Sequence, residues 1–206
     1  MTTSLQDLFA KYSSWYVKKY VPTLIEDDPD DGMKELIANR WDHPFRGLRP
    51  LGESRVAKVE RDFGPVPLAY TELLTTMGVG TILAASDGEP APFRILRPTE
   101  LKKARKLAFG CLSTEDTAMV AKKLDLDTSK MMPILSDGED DEDAAFWVML
   151  TRQTKQDDRV VLLERDHEDG WPLGRRKKAA KSLHEFVARW IACAKKLEPL
   201  NPYDGI

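Results

Sequence analysis

Met131-Met132-Pro133-Ile134-Leu135-Ser136-Asp137-Gly138 opens the stretch, running on to Leu197, whose reading decides the fold. Its first five residues are an apolar run, closed by the turn formers Ser136, Asp137 and Gly138. A second run, Phe146-Trp147-Val148-Met149-Leu150, is apolar and aromatic. A third, Val160-Val161-Leu162-Leu163, follows the polar break Thr154-Lys155-Gln156-Asp157-Asp158. Short apolar runs bounded by turn residues predict buried strands. Their close spacing predicts an antiparallel meander with one long hairpin loop.

The same stretch ends in a helix. Ser182 followed three residues later by Glu185 is a capping box, in which each side chain satisfies an orphan backbone N–H at the helix start. Leu183, Phe186, Val187, Trp190, Ile191, Ala194 and Leu197 recur at helical spacing and form one wide apolar stripe. Such a helix must lie on an apolar surface, and the preceding strands supply it. Pro199 and Pro202 mark its end.

Upstream, Leu5, Leu8, Phe9, Tyr12, Tyr16 and Tyr20 form an aromatic-rich helical stripe entered through Ser4, with Pro22 expected to end or bend the helix. The acidic segment 26–32 predicts a turn without regular structure, followed by a short helix over 33–39. Trp15, Tyr16, Trp41 and Phe45 read as core packing. Residues 55–60 alternate partly and predict an edge strand. Pro65 and Pro67 introduce a helix whose inner side is Leu68, Leu73, Leu74 and Met77, and Gly78 and Gly80 stop it. Residues 81–84 and 93–96 then form a hairpin around Ser86-Asp87-Gly88-Glu89-Pro90. Pro98 opens a basic helix, and Ser113 with Asp116 caps another. The expectation is an α+β fold: an antiparallel twisted sheet of five or six strands, helices packed on one face, and an N-terminal helical extension. The division expected is residues 1–60 as the extension, 61–198 as the α+β domain and 199–206 as a tail.

At 206 residues the chain suits one core, and 42% hydrophobic with 32% charged residues describes a folded protein rather than a disordered one. A net charge of −3 gives no general drive toward nucleic acid or an anionic membrane. No window approaches the ~20 apolar residues of a membrane span. The first residues do not read as a secretion signal, and two cysteines, Cys111 and Cys193, suit a reducing cytoplasm.

Catalytic signatures are sparse. Gly78-Val79-Gly80 lacks the further glycines and lysine of a phosphate-binding loop, and His43, His167 and His184 have no ligand spacing with each other or with the cysteines. No metal, no cofactor and no catalytic set are expected. Two constellations remain. The run Asp137-Gly138-Glu139-Asp140-Asp141-Glu142-Asp143 lacks the alternating ligands of an EF-hand. It reads either as a solvated turn or as an acidic docking edge for a basic protein. Asp166, His167 and Trp171 belong to a charged loop ending in an indole, either pinned by packing or exposed as a contact site. Arg175-Arg176-Lys177-Lys178 reads as a solvated loop opposing that acid.

The order Pro133-Ile134-Leu135, Asp137-Gly138, Phe146-Trp147-Val148-Met149-Leu150, Val160-Val161-Leu162-Leu163, Asp166-His167 and Ser182-Leu183-His184-Glu185-Phe186-Val187 resembles the C-terminal half of the SUKH superfamily, which includes the cell-wall assembly regulator-like proteins. Pro67-Leu68-Ala69-Tyr70-Thr71-Glu72-Leu73-Leu74, followed by Gly78 and Gly80, resembles that family's opening helix and glycine turn. The resemblance spans residues 60–195. It departs from the family where the glycine-rich turn is reduced to Met77-Gly78-Val79-Gly80, and where Glu142-Asp143-Ala144-Ala145 replaces a Gly-Asp step. The resemblance implies a non-enzymatic binding protein, foremost an immunity protein that binds a cognate bacterial toxin. A regulatory or scaffold protein without a toxin is the alternative. An enzyme assembled from distant residues such as Asp166 and His167 is the third reading.

Overall fold

The computed structural model describes residues 3–26, 29–87, 89–110, 114–137, 144, 146–164 and 180–197. Six strands form one antiparallel sheet in chain order: β1 (Phe45–Arg49), β2 (Val79–Ala84), β3 (Ala91–Ile95), β4 (Met132–Asp137), β5 (Phe146–Leu150) and β6 (Val160–Glu164). The expected meander is therefore present, with one more strand at its leading edge.

The helices α1 (Leu5–Trp15), α4 (Leu68–Thr76) and α7 (Leu183–Lys195) contact one another as a layer. They meet the sheet through Phe9, Leu73, Phe186, Val187 and Trp190, which close around Ile82, Phe93, Leu135 and Val148. α5 (Leu101–Gly110) lies against β4, and α6 (Thr114–Leu124) follows it in the chain. Residues 132–136, 147–150 and 160–163 are buried without interruption, so these three strands are covered on both faces. That explains why they read as continuous apolar runs rather than as alternation.

α7 follows its sequence signals. The Glu185 N–H donates to Ser182 Oγ at 3.1 Å, while the Glu185 carboxylate accepts from Lys181 N at 2.6 Å, one residue before the expected reciprocal partner. All six stripe residues from Leu183 to Ala194 are buried. A pair of backbone bonds between Ala180 and Val160, 2.9 and 3.0 Å, pins the helix entry to the start of β6.

Several expectations are corrected. Residues 55–60 are not a strand; they lie in α3 (Glu53–Phe63), where Val56 and Val59 are buried three apart on one helical face. The edge strand is β1 instead. The acidic segment is not wholly irregular, because α2 (Pro29–Ala38) starts with Pro29 and carries Asp30 and Asp31 in its first turn, where proline loses no bond and carboxylates face the positive end of the helix. After α1, the chain does not stop at Pro22: it passes through one π turn (Tyr16–Tyr20) and one 3-10 turn (Val21–Ile25). Residues 1–60 are largely helical as expected, yet the boundary at 60 falls inside α3, and the segment contributes β1 to the sheet and Leu5, Phe9, Tyr12, Tyr16 and Tyr20 to the common core. The tail 199–206, the cap at Ser113 and the helix-ending prolines lie outside the described residues.

The two glycines after α4 do more than stop a helix. Gly78 (φ +83°) and Gly80 (φ +150°) let β1 approach β2: a Cβ on Gly78 would lie 1.9 Å from the Arg49 carbonyl oxygen, and one on Gly80 2.8 Å from Leu48 N. β1 bulges there, with Gly47 at φ +63° and a register shift between Arg46 and Arg49. Gly78→Ala should therefore destabilise the protein by more than about 2 kcal/mol, since strain in the left-handed region adds to a backbone collision. Gly110→Ala, at the end of α5 with open space around the new methyl, should be neutral or stabilising. Urea denaturation checks both, and equal effects would contradict the close approach of β1.

Candidate functional site

In a meander, alternate turns share an end of the sheet. Here the β2–β3 turn and the β4–β5 connection lie together, and β6 terminates at that same end. Asp137 is the last residue of β4, part-buried and paired in register with Phe93. Glu164, the last residue of β6, pairs with Phe146 at the start of β5. Strand spacing puts the Asp137 and Glu164 backbones roughly 10 Å apart across β5. The chain thus leaves the sheet toward the acidic run from β4, and toward Asp166, His167 and Trp171 from β6, at one end with β5 between them. Glu139, Asp140, Asp141, Glu142, Asp143, Asp166, His167 and Trp171 themselves, with the basic stretch 175–178, lie outside the described residues.

That end also carries a groove of about 380 Å³. Tyr20, Leu24, Leu36, Trp41 and Leu197 are its aromatic and aliphatic lining, and Glu35, Asp87 and Glu89 its acidic lining. All three carboxylate residues are exposed. α1 and its π turn deliver Tyr20 there, α2 delivers Glu35, and the β2–β3 turn delivers Asp87 and Glu89. The turn is held from two sides. The Ser86 hydroxyl donates to the Glu89 carbonyl, and the Ser86 N–H donates to the Tyr20 hydroxyl at 3.4 Å.

Two turns before Tyr20, in α1, the Tyr12 hydroxyl donates to the Leu83 carbonyl at 2.8 Å and accepts from the Ala85 N–H at 2.9 Å. Both ends of this bond pair are buried. Burial keeps the Tyr12 hydroxyl protonated well above the usual tyrosine range, against the opposing pull of the Ala85 N–H. Burial likewise raises Tyr20, with Ser86 pulling the other way. Tyr12 also packs against Trp190, their ring centroids 5.0 Å apart, so α1, α7 and the end of β2 are joined at one point.

The opposite end of the sheet has a different character. A cleft of about 580 Å³ is lined by Pro67, Leu68, Glu72, Lys155, Asp158 and His184. Its charged groups serve the helix starts: Glu72 accepts from the Leu5 N–H at 2.9 Å and lies 3.3 Å from His184 Nε2, and Asp158 accepts from the Leu183 N–H at 3.3 Å. His184 is therefore tied to α4. The loop presenting Lys155 and Asp158 is itself held by Asp157. Burial opposes the charge of Asp157, but bonds from Arg159 Nε (2.7 Å), Thr151 Oγ1 (2.6 Å) and Gln153 N (2.9 Å) outweigh it, bringing the carboxyl down to about 2.

Of the residues singled out in the sequence, the structure brings Asp137 to the acidic end. The groove residues Glu35, Asp87, Glu89 and Trp41 were read only as helix, turn and core. Among the described residues no group of three or more histidine, cysteine, aspartate or glutamate side chains is arranged to hold a metal ion, and no helix is long and apolar enough to cross a membrane. Compared with protein-family models, with curated proteins and with solved structures, the chain matches none.

Asp157→Asn should cost on the order of 1 to 2 kcal/mol near neutral pH, because the depressed carboxyl stabilises the fold wherever it is charged. The folded value lies below the unfolded one, so this contribution is full above pH ~4 and fades as pH falls toward ~2. Denaturation of wild type and variant should therefore converge across that window; a constant difference from pH 7 down to 2 would refute the assignment.

Proposed function

We propose that this chain is a non-enzymatic binding protein, an immunity protein of the SUKH type that neutralises a cognate toxin in the cytoplasm. The acidic end of the sheet is its docking face, and a basic surface of the toxin is what it meets. One observation carries the reading: β4 ends at Asp137, the first residue of the acidic run, and β6 ends at Glu164, two residues before Asp166 in the chain, at the same end of one sheet as Asp87 and Glu89. Carboxylates concentrated on one end of a chain with a net charge of only −3 make a directional field rather than a diffuse one. Complementary charge of this kind speeds association and selects partners more than it adds affinity. The residue order described above supports the SUKH assignment, and a toxin gene beside this one in the genome would separate immunity from regulation.

The partner is obtained by pull-down from the native host and then purified. Replacing Asp140, Asp141 and Asp143 together by asparagine should slow its association roughly tenfold at low salt and flatten the salt dependence of the rate, while leaving folding stability unchanged. Stopped-flow mixing at two ionic strengths measures this. Identical rates at both would overturn the acidic end as the docking face.

A further inference from the structure

We infer that the groove at the acidic end receives an arginine side chain projecting from the protein partner. This rests on the reading of a basic partner and makes it specific to one pocket. Three features of the groove argue for the occupant. First, its volume of about 380 Å³ falls in the ~300–1,000 Å³ range of ordinary binding pockets, large enough for a side chain rather than an ion.

Second, the charge on its lining is of one sign. Glu35, Asp87 and Glu89 line it, and among the described residues no lysine, arginine or histidine does. Among the described residues none of these three carboxylates is ion-paired, and Lys34, beside Glu35 on α2, is turned instead to Asp31 at 2.6 Å. The three come from two separate elements that the fold brings together, so they are not a solvated run along one segment. Their potential is left for a cation from outside.

Third, much of the remaining lining is aromatic and aliphatic. Trp41 is half-buried and Tyr20 buried, while Leu24, Leu36 and Leu197 complete an apolar lining that an inorganic cation would leave unused. A guanidinium differs from an ammonium in being flat, weakly hydrated and able to lie on an aromatic face while its edge donates to carboxylates. A lining that combines aromatic rings with carboxylates suits such a group. The fold also fixes this lining in advance, since Tyr20 is held to Ser86 and α2 fits against the 3-10 turn through Gly32, where a Cβ would come within 3.2 Å of Ile25 Cα. Such preorganisation reduces the ordering cost of docking.

The probe is N-acetyl-arginine amide, titrated into the full chain while backbone amide and indole N–H signals are followed by NMR. N-acetyl-citrulline amide, the neutral near-isostere, and spermidine, a free polyamine, are titrated in parallel. Saturable shifts confined to Glu35, Trp41 and Ser86, at least tenfold weaker for citrulline and lost in the Glu35→Gln, Asp87→Asn, Glu89→Gln triple variant, are expected. The three positions are exposed, so the variant should fold, and its amide spectrum verifies this directly. No saturable shift, equal shifts with citrulline, or unaltered binding to the triple variant would overturn the inference. Tighter, site-confined binding of spermidine would also overturn it, by making a free amine the occupant. Association of the captured partner separates the two proposals: a rate slowed by the 140/141/143 variant but not by the groove variant leaves the docking face standing and removes the arginine pocket. Arginine binding in the groove, with neither variant affecting the partner, overturns both the docking face and the partner's arginine as the occupant.

Discussion

A buried hydroxyl is costly to leave without partners, and in this protein the Tyr12 hydroxyl finds two, on either side of Ala84 where β2 ends. That requirement fixes the distance and rotation of α1 against the sheet. From it follow the packing of Trp190 on Tyr12, the parallel course of α1 and α7, and the arrival of Tyr20 two turns later beside Ser86. The apolar stripes of α1 and α7 drive burial without direction; the hydroxyl supplies the register. The N-terminal segment is thereby part of the mechanism that places the β2–β3 turn, rather than an ornament on a finished domain.

The fold divides labour between the two ends of its sheet. At one end Glu72, Asp158 and His184 are engaged with the starts of α1 and α7, and Asp157 holds the loop between β5 and β6. These charges are committed to structure. At the other end Glu35, Asp87 and Glu89 stand exposed in a groove with an apolar lining, and the chain leaves for its densest acidic run. Charges held by neighbours contribute stability. Charges without them contribute field, and field is what a partner senses before contact.

Much of this was legible in the residues. Strands β2 to β6 and α7 announce themselves because apolar runs between turn formers, and a capped helical stripe, are local signals. β1 is not local: Phe45–Arg49 contains Gly47 and two arginines, and it becomes a strand because Gly78 and Gly80, some thirty residues on, leave room for its backbone. Val56 and Val59 are separated by an interval that a six-residue window reads as partial alternation; with Phe63 included the spacing is helical. The groove was missed for a different reason. Counting strands in a meander already assigns the β2–β3 and β4–β5 turns to one end, so Asp87 and Glu89 belonged beside the acidic run on topology alone. That Trp41 and Glu35 join them depends on the path of α2, which no sequence period specifies.

The claim at the centre of this account is that a partner docks on the acidic end and leaves the other end free. A hydrogen-exchange footprint of the purified complex tests it most directly, because backbone amides report from both ends in one experiment. The account predicts slowed exchange on binding in residues 20–25 and 85–87, with residues 151–159 unchanged. Protection of 151–159 and the start of α4, with 20–25 and 85–87 unaffected, would contradict it and move the interface to the cleft of Leu68, Lys155 and His184.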